Sequence, residues 1–347
     1  MRPIFNAQLV NRTFGDPGVY LDLKFERRAL LFDIGDITAL STRKLLRLSD
    51  VFVSHTHMDH FAGFDHLLRV CLGRDTGVRL YGPPNFIEQV GHKLAAYTWN
   101  LVDTYQTEFV IEAHELHEGS VVQRARFSSR HRFACEDLDA IQTNDGLLLA
   151  EPHFKVRALM LDHHGIPSLA FRFEEETHIN VWKNRLEEFG LPTGPWLTDL
   201  KRLAREGAPA QTPVRIYWRT REGSREENFP LGVLKERVLE FVPGERVAYV
   251  TDVAGHEQNT TRLIEFLRAV DVLFIESVFL SEDGEHAAKK AHLTAQQAGR
   301  IAQAAGVKHA VPFHFSPRYL GEEARLEHEF ELAWRGADLI EQASARQ

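Results

Sequence analysis

The sequence predicts an α/β protein organised as one large domain over residues 1–347. Three observations predict it. In the last third, apolar runs of strand length alternate with helical periodicities. A short apolar run, Val51-Phe52-Val53, feeds a histidine-rich loop and then a helix, and the chain opens on an alternating hairpin. With 347 residues, 44% of them hydrophobic, the chain can bury a large core. No clean composition break divides it.

In order, Leu21 to Phe25 alternates, Glu26-Arg27-Arg28 can turn, and Ala29 to Asp33 runs back, which predicts two antiparallel strands. Ser41 is placed to cap a short helix through Leu45 and Leu46. After the histidine loop, Phe64, Leu67, Leu68 and Cys71 recur at helical spacing, so Cys71 belongs in a helix core. Arg79-Leu80-Tyr81 is a strand stopped by Gly82-Pro83-Pro84, and an amphipathic helix follows around Ile87 to Tyr97. From Gly119 to Asn144 periodicity is poor and charge dense, which reads as a long loop or small insertion. Strands return at Leu147 to Leu149, Phe154 to Leu159 and Leu169 to Phe173.

His178 to Arg237 reads as an arm bent at Gly190-Leu191-Pro192-Thr193-Gly194-Pro195-Trp196. It holds 11 Lys and Arg against 8 Asp and Glu, inside a chain of net charge −8. Beyond it, Val247 to Val250 leads to Asp252, Val272 to Ile275 to Glu276, and Ala310 to Phe313 to His314. Thr294-Ala295-Gln296-Gln297 is a capping box opening a helix to Ala305, stopped by Gly306.

Composition narrows the function. A net charge of −8 and a pI near 6.1 exclude a protein that coats nucleic acid or membrane over its whole surface, so a polyanion must dock locally. Met1 to Phe5 carries no apolar leader core, and no stretch approaches the ~20 apolar residues of a membrane span. A cytoplasmic location is expected. Cys71 and Cys135 lack the spacing of a disulfide framework or a thiolate zinc site.

The chemistry centres on Ser54-His55-Thr56-His57-Met58-Asp59-His60. In extended backbone leaving a strand, residues two apart face the same side, so His55 and His57 can close on one ion while Asp59 and His60 reach a neighbouring one. Such ligands suit zinc, with manganese or iron as alternatives. Asp252 is placed to bridge two ions, with His164 and His314 completing their shells. A water shared by two cations loses a proton near neutral pH, which suits ester hydrolysis. If Glu276 meets His292, the carboxylate holds the imidazole protonated as an acid for a leaving alkoxide.

These residues carry a resemblance. SHTHMDH followed by FAG resembles the HxHxDHxxG signature of the metallo-β-lactamase superfamily. LDHHGIPSLAFRFEE, GLPTGPWLTDLK, YVTD, VLFIESVF and AHLTAQQAGRIAQAAGVKHAVPFHFSPRY are similar, in this order, to segments of the ribonuclease Z family, which trims the 3′ trailer from precursor tRNA. The resemblance implies a four-layer αβ/βα sandwich of two facing mixed sheets flanked by helices, with a protruding arm that grips tRNA, in a homodimer. It implies two zinc ions per chain, one held by His55, His57 and a histidine of Asp162 to Gly165, the other by Asp59, His60 and His314, with Asp252 between them. His164 is preferred over His163 because its interval to Ala170 matches the family's spacing. Asp59 would handle the attacking water, Glu276 and His292 would supply the proton, and Ser316, Arg318 and Tyr319 would line the phosphate end. Two readings compete with tRNA cleavage: a hydrolase of a small phosphodiester, sulfate ester or other ester with the same centre, and a non-catalytic metal-binding module.

Overall fold

Eight strands run in sequence order across the first sheet, from Phe5–Leu9 through Val19–Leu23, Arg28–Phe32, Leu48–Phe52, Thr76–Gly82, Phe109–Leu116 and Val121–Ser128 to Cys135–Gln142. Its four middle strands, Arg28–Phe32 to Phe109–Leu116, are mutually parallel, with antiparallel pairs on either flank. The computed structural model describes residues 3–220 and 223–336; Met1 and Arg2, part of the N-terminal segment considered above, lie outside them. A second sheet of six strands has the order His309–Phe313, Val272–Glu276, Arg246–Val250, Ile166–Glu175, Phe154–His163 and Leu147–Ala150.

The two sheets face each other across an apolar layer. Phe32 and Phe52 of the first meet Phe171 of the second at 5.7 and 5.6 Å between ring centroids, and Tyr249 lies 5.9 Å from Phe32. Each such ring taken out of water contributes about 1.5–3 kcal/mol. On the outer face of the first sheet, Phe64, Leu67, Leu68 and Cys71 of one helix and Phe86, Val90 and Leu94 of another form a separate core. Helices Glu257–Phe266, Ala295–Ala304 and Glu323–Trp334 do the same for the second sheet through Leu263, Ile301 and Phe330. This is the expected αβ/βα sandwich. Because parallel strands of one sheet end on the same edge, every loop leaving the C-terminal ends of Leu48–Phe52, Arg246–Val250, Val272–Glu276 and His309–Phe313 can meet there.

Residues Glu175–Gly244 form a second compact unit with its own core of Trp196, Leu200, Ile216, Leu231 and Leu234. The strand His178–Val181 pairs with Leu239–Val242, and Pro213–Thr220 pairs with Gly223–Pro230. Trp196 opens the helix Trp196–Arg205, buried, its indole N–H donated to the carbonyl of Pro192 at 3.0 Å. Among the described residues of the chain no helix is long and apolar enough to cross a membrane.

The stretch Gly119 to Asn144, expected as a loop or insertion, is instead the far end of the first sheet. Val121–Ser128 buries Val122, Ala125 and Phe127, while Cys135–Gln142 is almost wholly exposed. A charged edge strand with no buried face shows no apolar alternation, and such edges resist pairing with other chains. That is why the periodicity was silent.

His114 gives the inter-sheet layer a pH response. Its ring stacks on Tyr81 at 4.6 Å, and both ring nitrogens are buried without a hydrogen-bond partner. Burial, reinforced by the charges of Arg124 and Arg79, pushes the imidazole down to about 4. The unfolded chain protonates at about 6.5, so this contribution to stability is intact above that pH and is lost as pH falls toward 4. The span corresponds to about 3 kcal/mol. His114→Phe, which keeps the stack, is expected to flatten the fall of the urea midpoint between pH 7 and 4.5; an unchanged slope would remove His114 from the explanation.

Candidate metal centre

At the edge where the parallel strands end, side chains from both sheets converge. Leu48–Phe52 delivers His55 and His57, and the single helical turn Met58–Phe61 delivers Asp59 and His60. Phe154–His163 ends on His163, Arg246–Val250 leads to Asp252, and His309–Phe313 leads to His314. Ligand-type atoms of His55, His57, His163 and Asp252 lie within 4.8 Å of one another, as do those of Asp59, His60 and His314. Asp252 touches both groups: its Oδ2 is 3.6 Å from the Nε2 of His55 and of His163, and its Oδ1 is 3.4 Å from His60 Nε2 and 3.0 Å from His314 Nδ1.

Three of these rings are tethered at the outer nitrogen, and three inner nitrogens have no hydrogen-bond partner. His60 Nδ1 meets Asp33 at 2.8 Å, His163 Nδ1 meets the carbonyl of Ala291 at 3.0 Å, and His55 Nδ1 meets Ser54 Oγ at 3.1 Å. Meanwhile His55 Nε2, His60 Nε2 and His314 Nδ1 are buried without a hydrogen-bond partner. An orphaned ring nitrogen beside a carboxylate is costly unless something fills the gap, and an imidazole tethered at its far nitrogen is how proteins present a metal ligand. The donor set fits two divalent cations. Burial, then the charge of His60, holds His55 down to about 2, so it is neutral and free to donate its lone pair. Burial alone would push the Asp252 carboxyl up; the facing His60 and His314 outweigh it and hold it well below the usual carboxylate range.

Backbone strain and close packing set these positions. Asp33, Asp252 and His314 lie in the left-handed region at φ 56°, 45° and 59°, a conformation costing on the order of 1–3 kcal/mol and found where surroundings enforce it. Gly35 is needed for approach: a Cβ there would stand 1.8 Å from the Asp59 carbonyl oxygen.

Beside Asp252 stands a second pair. His292 Nδ1 is 2.8 Å from Glu276 Oε2, and Glu276 Oε1 accepts the backbone N–H of Val253 at 2.9 Å and of Leu293 at 3.2 Å. Burial would lower the His292 pKa, but the Glu276 charge and hydrogen bond win and raise it above the ordinary value. Glu276, His292, His314 and Asp252 together form a further group of converging ligand-type atoms.

Two expectations are corrected. His164 is exposed at a turn with φ 53°, and the neighbouring His163 takes the place in the cluster. Strand alternation decides it: Leu161 and His163 point inward, so the next residue points out. Tyr319 is buried with its hydroxyl bonded to Asp283 and receiving the N–H of Leu280, rather than offered to a ligand. Arg318 pairs with Asp283 at 3.0 Å over the Phe279 ring, which lies 6.1 Å from the ring of His292. Ser316 is half-buried and donates its N–H to Val278.

Sequence reasoning passed over Asp33. It accepts from Ser54 N at 2.6 Å, Ser54 Oγ at 2.8 Å and Tyr249 Oη at 2.7 Å, as well as holding His60. The available signal was a carboxylate closing the apolar run Ala29-Leu30-Leu31-Phe32 two residues before Gly35. Asp33→Asn puts a donor amide where only donors point, so cation affinity is expected to fall about 10–100-fold. Chelator competition measures it, and affinity equal to that of the parent would strip Asp33 of the role.

Comparison with known proteins agrees with the geometry. Residues 219–315 match a family model described as a beta-lactamase superfamily domain. Ribonuclease Z of Deinococcus radiodurans is 31% identical over 293 residues, which are 84% of this chain and 83% of that protein. Ribonuclease Z of Enterococcus faecalis is 28% identical over 88% of this chain and 83% of its own. Among solved structures, a metallo-β-lactamase fold protein from Bacillus subtilis aligns at a TM-score of 0.53 and 16% identity, covering 94% of this chain and 92% of that one. Human tRNase Z, short form, aligns at 0.50 and 18%, covering 91% and 92%. The molecule is thus a metallo-β-lactamase-fold enzyme, a metal-dependent hydrolase. Within that class, its likeness to the Deinococcus protein over most of both chains shows that it belongs to the ribonuclease Z family.

Proposed function

We propose that this enzyme is a zinc-dependent phosphodiesterase that cuts the 3′ trailer from precursor tRNA, leaving a 3′-hydroxyl on the mature end. The observation that carries the reading is the position of Asp252, within 3.0–3.6 Å of imidazoles from both ligand sets, with the Glu276–His292 pair beside it. The relatives named ribonuclease Z support the choice of substrate.

His55, His57 and His163 would hold one zinc and Asp59, His60 and His314 the other, with Asp252 facing both sets. When bound, the ions supply Lewis-acid polarisation of the phosphoryl group and an acidified water. Asp59, half-buried and 3.4 Å from His60 Nε2, would orient the attacking water and take up its proton. As the bond between phosphorus and the 3′-oxygen breaks, the leaving oxygen needs a proton. His292, its Nδ1 spent on Glu276, gives that proton from Nε2. Arg318, one ring away from His292, takes a neighbouring phosphate.

The unit around His178 to Arg237 acts as the arm that grips the RNA body, and the working form is a homodimer in the cytoplasm. Replacing Arg202 and Arg205 together by Ala is expected to weaken precursor binding severalfold, most visibly at low salt, while turnover of a small ester stays unchanged; filter binding and ester assays separate the two.

The deciding experiment sets a precursor tRNA with a 3′ trailer beside bis(p-nitrophenyl) phosphate, using zinc-replete protein. Site-specific cleavage at the trailer junction is expected. Turnover of the small ester with an untouched precursor would replace this reading with that of a small-ester hydrolase.

A further inference from the structure

The turn that aims His314 is held from the other end of the chain. His314 adopts φ 59°, a conformation that persists for a non-glycine residue only where its neighbours over-determine it. On one side the Phe313 carbonyl accepts the N–H of Ser277 at 2.9 Å. On the other, Phe315 donates its N–H to the carbonyl of Thr13 at 2.8 Å, and its buried ring meets Phe14 edge-on at 5.6 Å. Thr13 and Phe14 belong to the loop 10–18, which joins Phe5–Leu9 to Val19–Leu23 in the opposite sheet.

The same loop reaches Asp59. Asp16 Oδ2 accepts the N–H of Asp36 at 2.8 Å, and Asn11 Nδ2 donates to the carbonyls of Asp16 and Asp36 at 2.9 and 2.8 Å. Between Asp16 and Asp59 sits Gly35: a Cβ placed there would lie 2.7 Å from Asp16 Cβ and 1.8 Å from the Asp59 carbonyl oxygen. One loop therefore presses on the backbone that carries Asp59 and on the turn that carries His314. Those residues are two of the three in one ligand set. Among the described contacts, none ties the loop to His55, His57 or His163.

We infer that the loop 10–18 is a clamp for the Asp59, His60 and His314 set, with Phe14 and Asp16 as its positioning residues. It sets the spacing of Asp59 and His314, and so the affinity for one cation of the two. The inference rests on the two-cation reading above. A ligand free to swing must be ordered at the moment of binding, so loosening the clamp weakens that ion alone.

The test uses full-length protein loaded with two zinc ions and measures both dissociation constants by chelator competition. In Phe14→Ala one constant is expected to rise about tenfold and the other to stay within about twofold, with the melting temperature of the metal-free protein little changed. Phe14→Leu should recover most of the affinity. Asp16→Ala should weaken the same ion. Phe171→Leu, which disturbs the inter-sheet layer away from the loop, should lower the melting temperature and leave the ratio of the two constants unchanged. Two unaltered constants in Phe14→Ala would overturn the clamp, and so would parallel weakening of both in step with lost stability. A parent protein that binds fewer than two ions would instead overturn the two-cation reading.

Discussion

Asp252→Ala is expected to remove both cations and take hydrolysis down by about 10³-fold or more. Its carboxylate lies within 3.0–3.6 Å of four imidazoles, two from each ligand set. Without it, two ions would sit among neutral rings with only Asp59 to offset their charge. A ligand that binds only the folded state adds stability by mass action, about 2.7 kcal/mol at a concentration of 100 times its Kd. The rise in melting temperature on adding zinc should therefore vanish in the variant. Metal analysis after gel filtration checks the first claim and thermal melts with and without zinc the second. Two equivalents of zinc still bound to the variant would mean that Asp252 does not join the two sets.

His292→Ala is expected to leave both ions in place and slow cleavage of the precursor by about 100-fold or more, the usual contribution of a general acid. The contrast with Asp252 lies in what each side chain touches. His292 spends Nδ1 on Glu276, a carboxylate itself tied to the N–H groups of Val253 and Leu293, so its loss takes no atom from either ligand set. The substrates separate the proton-donor role from a structural one. A sugar alkoxide leaves poorly without a proton, whereas p-nitrophenolate leaves well unaided. The variant should thus lose far more activity on RNA than on bis(p-nitrophenyl) phosphate, and equal losses on both would point to a disturbed site.

Much of the centre could be read before any fold was known, because ligands at strand ends leave local traces. His55, His57, Asp59 and His60 are written in six residues, and Asp252, Glu276 and His314 each follow an apolar run of strand length. The capping box at Thr294 and Gln297 forms as its pattern indicates. Other features leave no local trace. Choosing between His163 and His164 turned on which face of Phe154–His163 the last residue takes, a matter of register that one residue of slip reverses. The strand Cys135–Gln142 is exposed on nearly every residue, so no pattern marks it. Asp33 acts through His60, Ser54 and Tyr249, partners drawn from both sheets, and nothing adjacent to it in the chain announces them.

By itself the sequence indicated the class of chemistry, most of the candidate ligand residues and those strands and helices that carry apolar periodicity, since spacing, caps and periodicity are properties of neighbouring residues. Only the tertiary structure decided which histidine completes the first set, which carboxylate steers His60 and how Thr13 comes to hold the turn after His314. Those are contacts between segments far apart in the chain, and their geometry exists only once two sheets have packed face to face and brought their strand ends to a common edge.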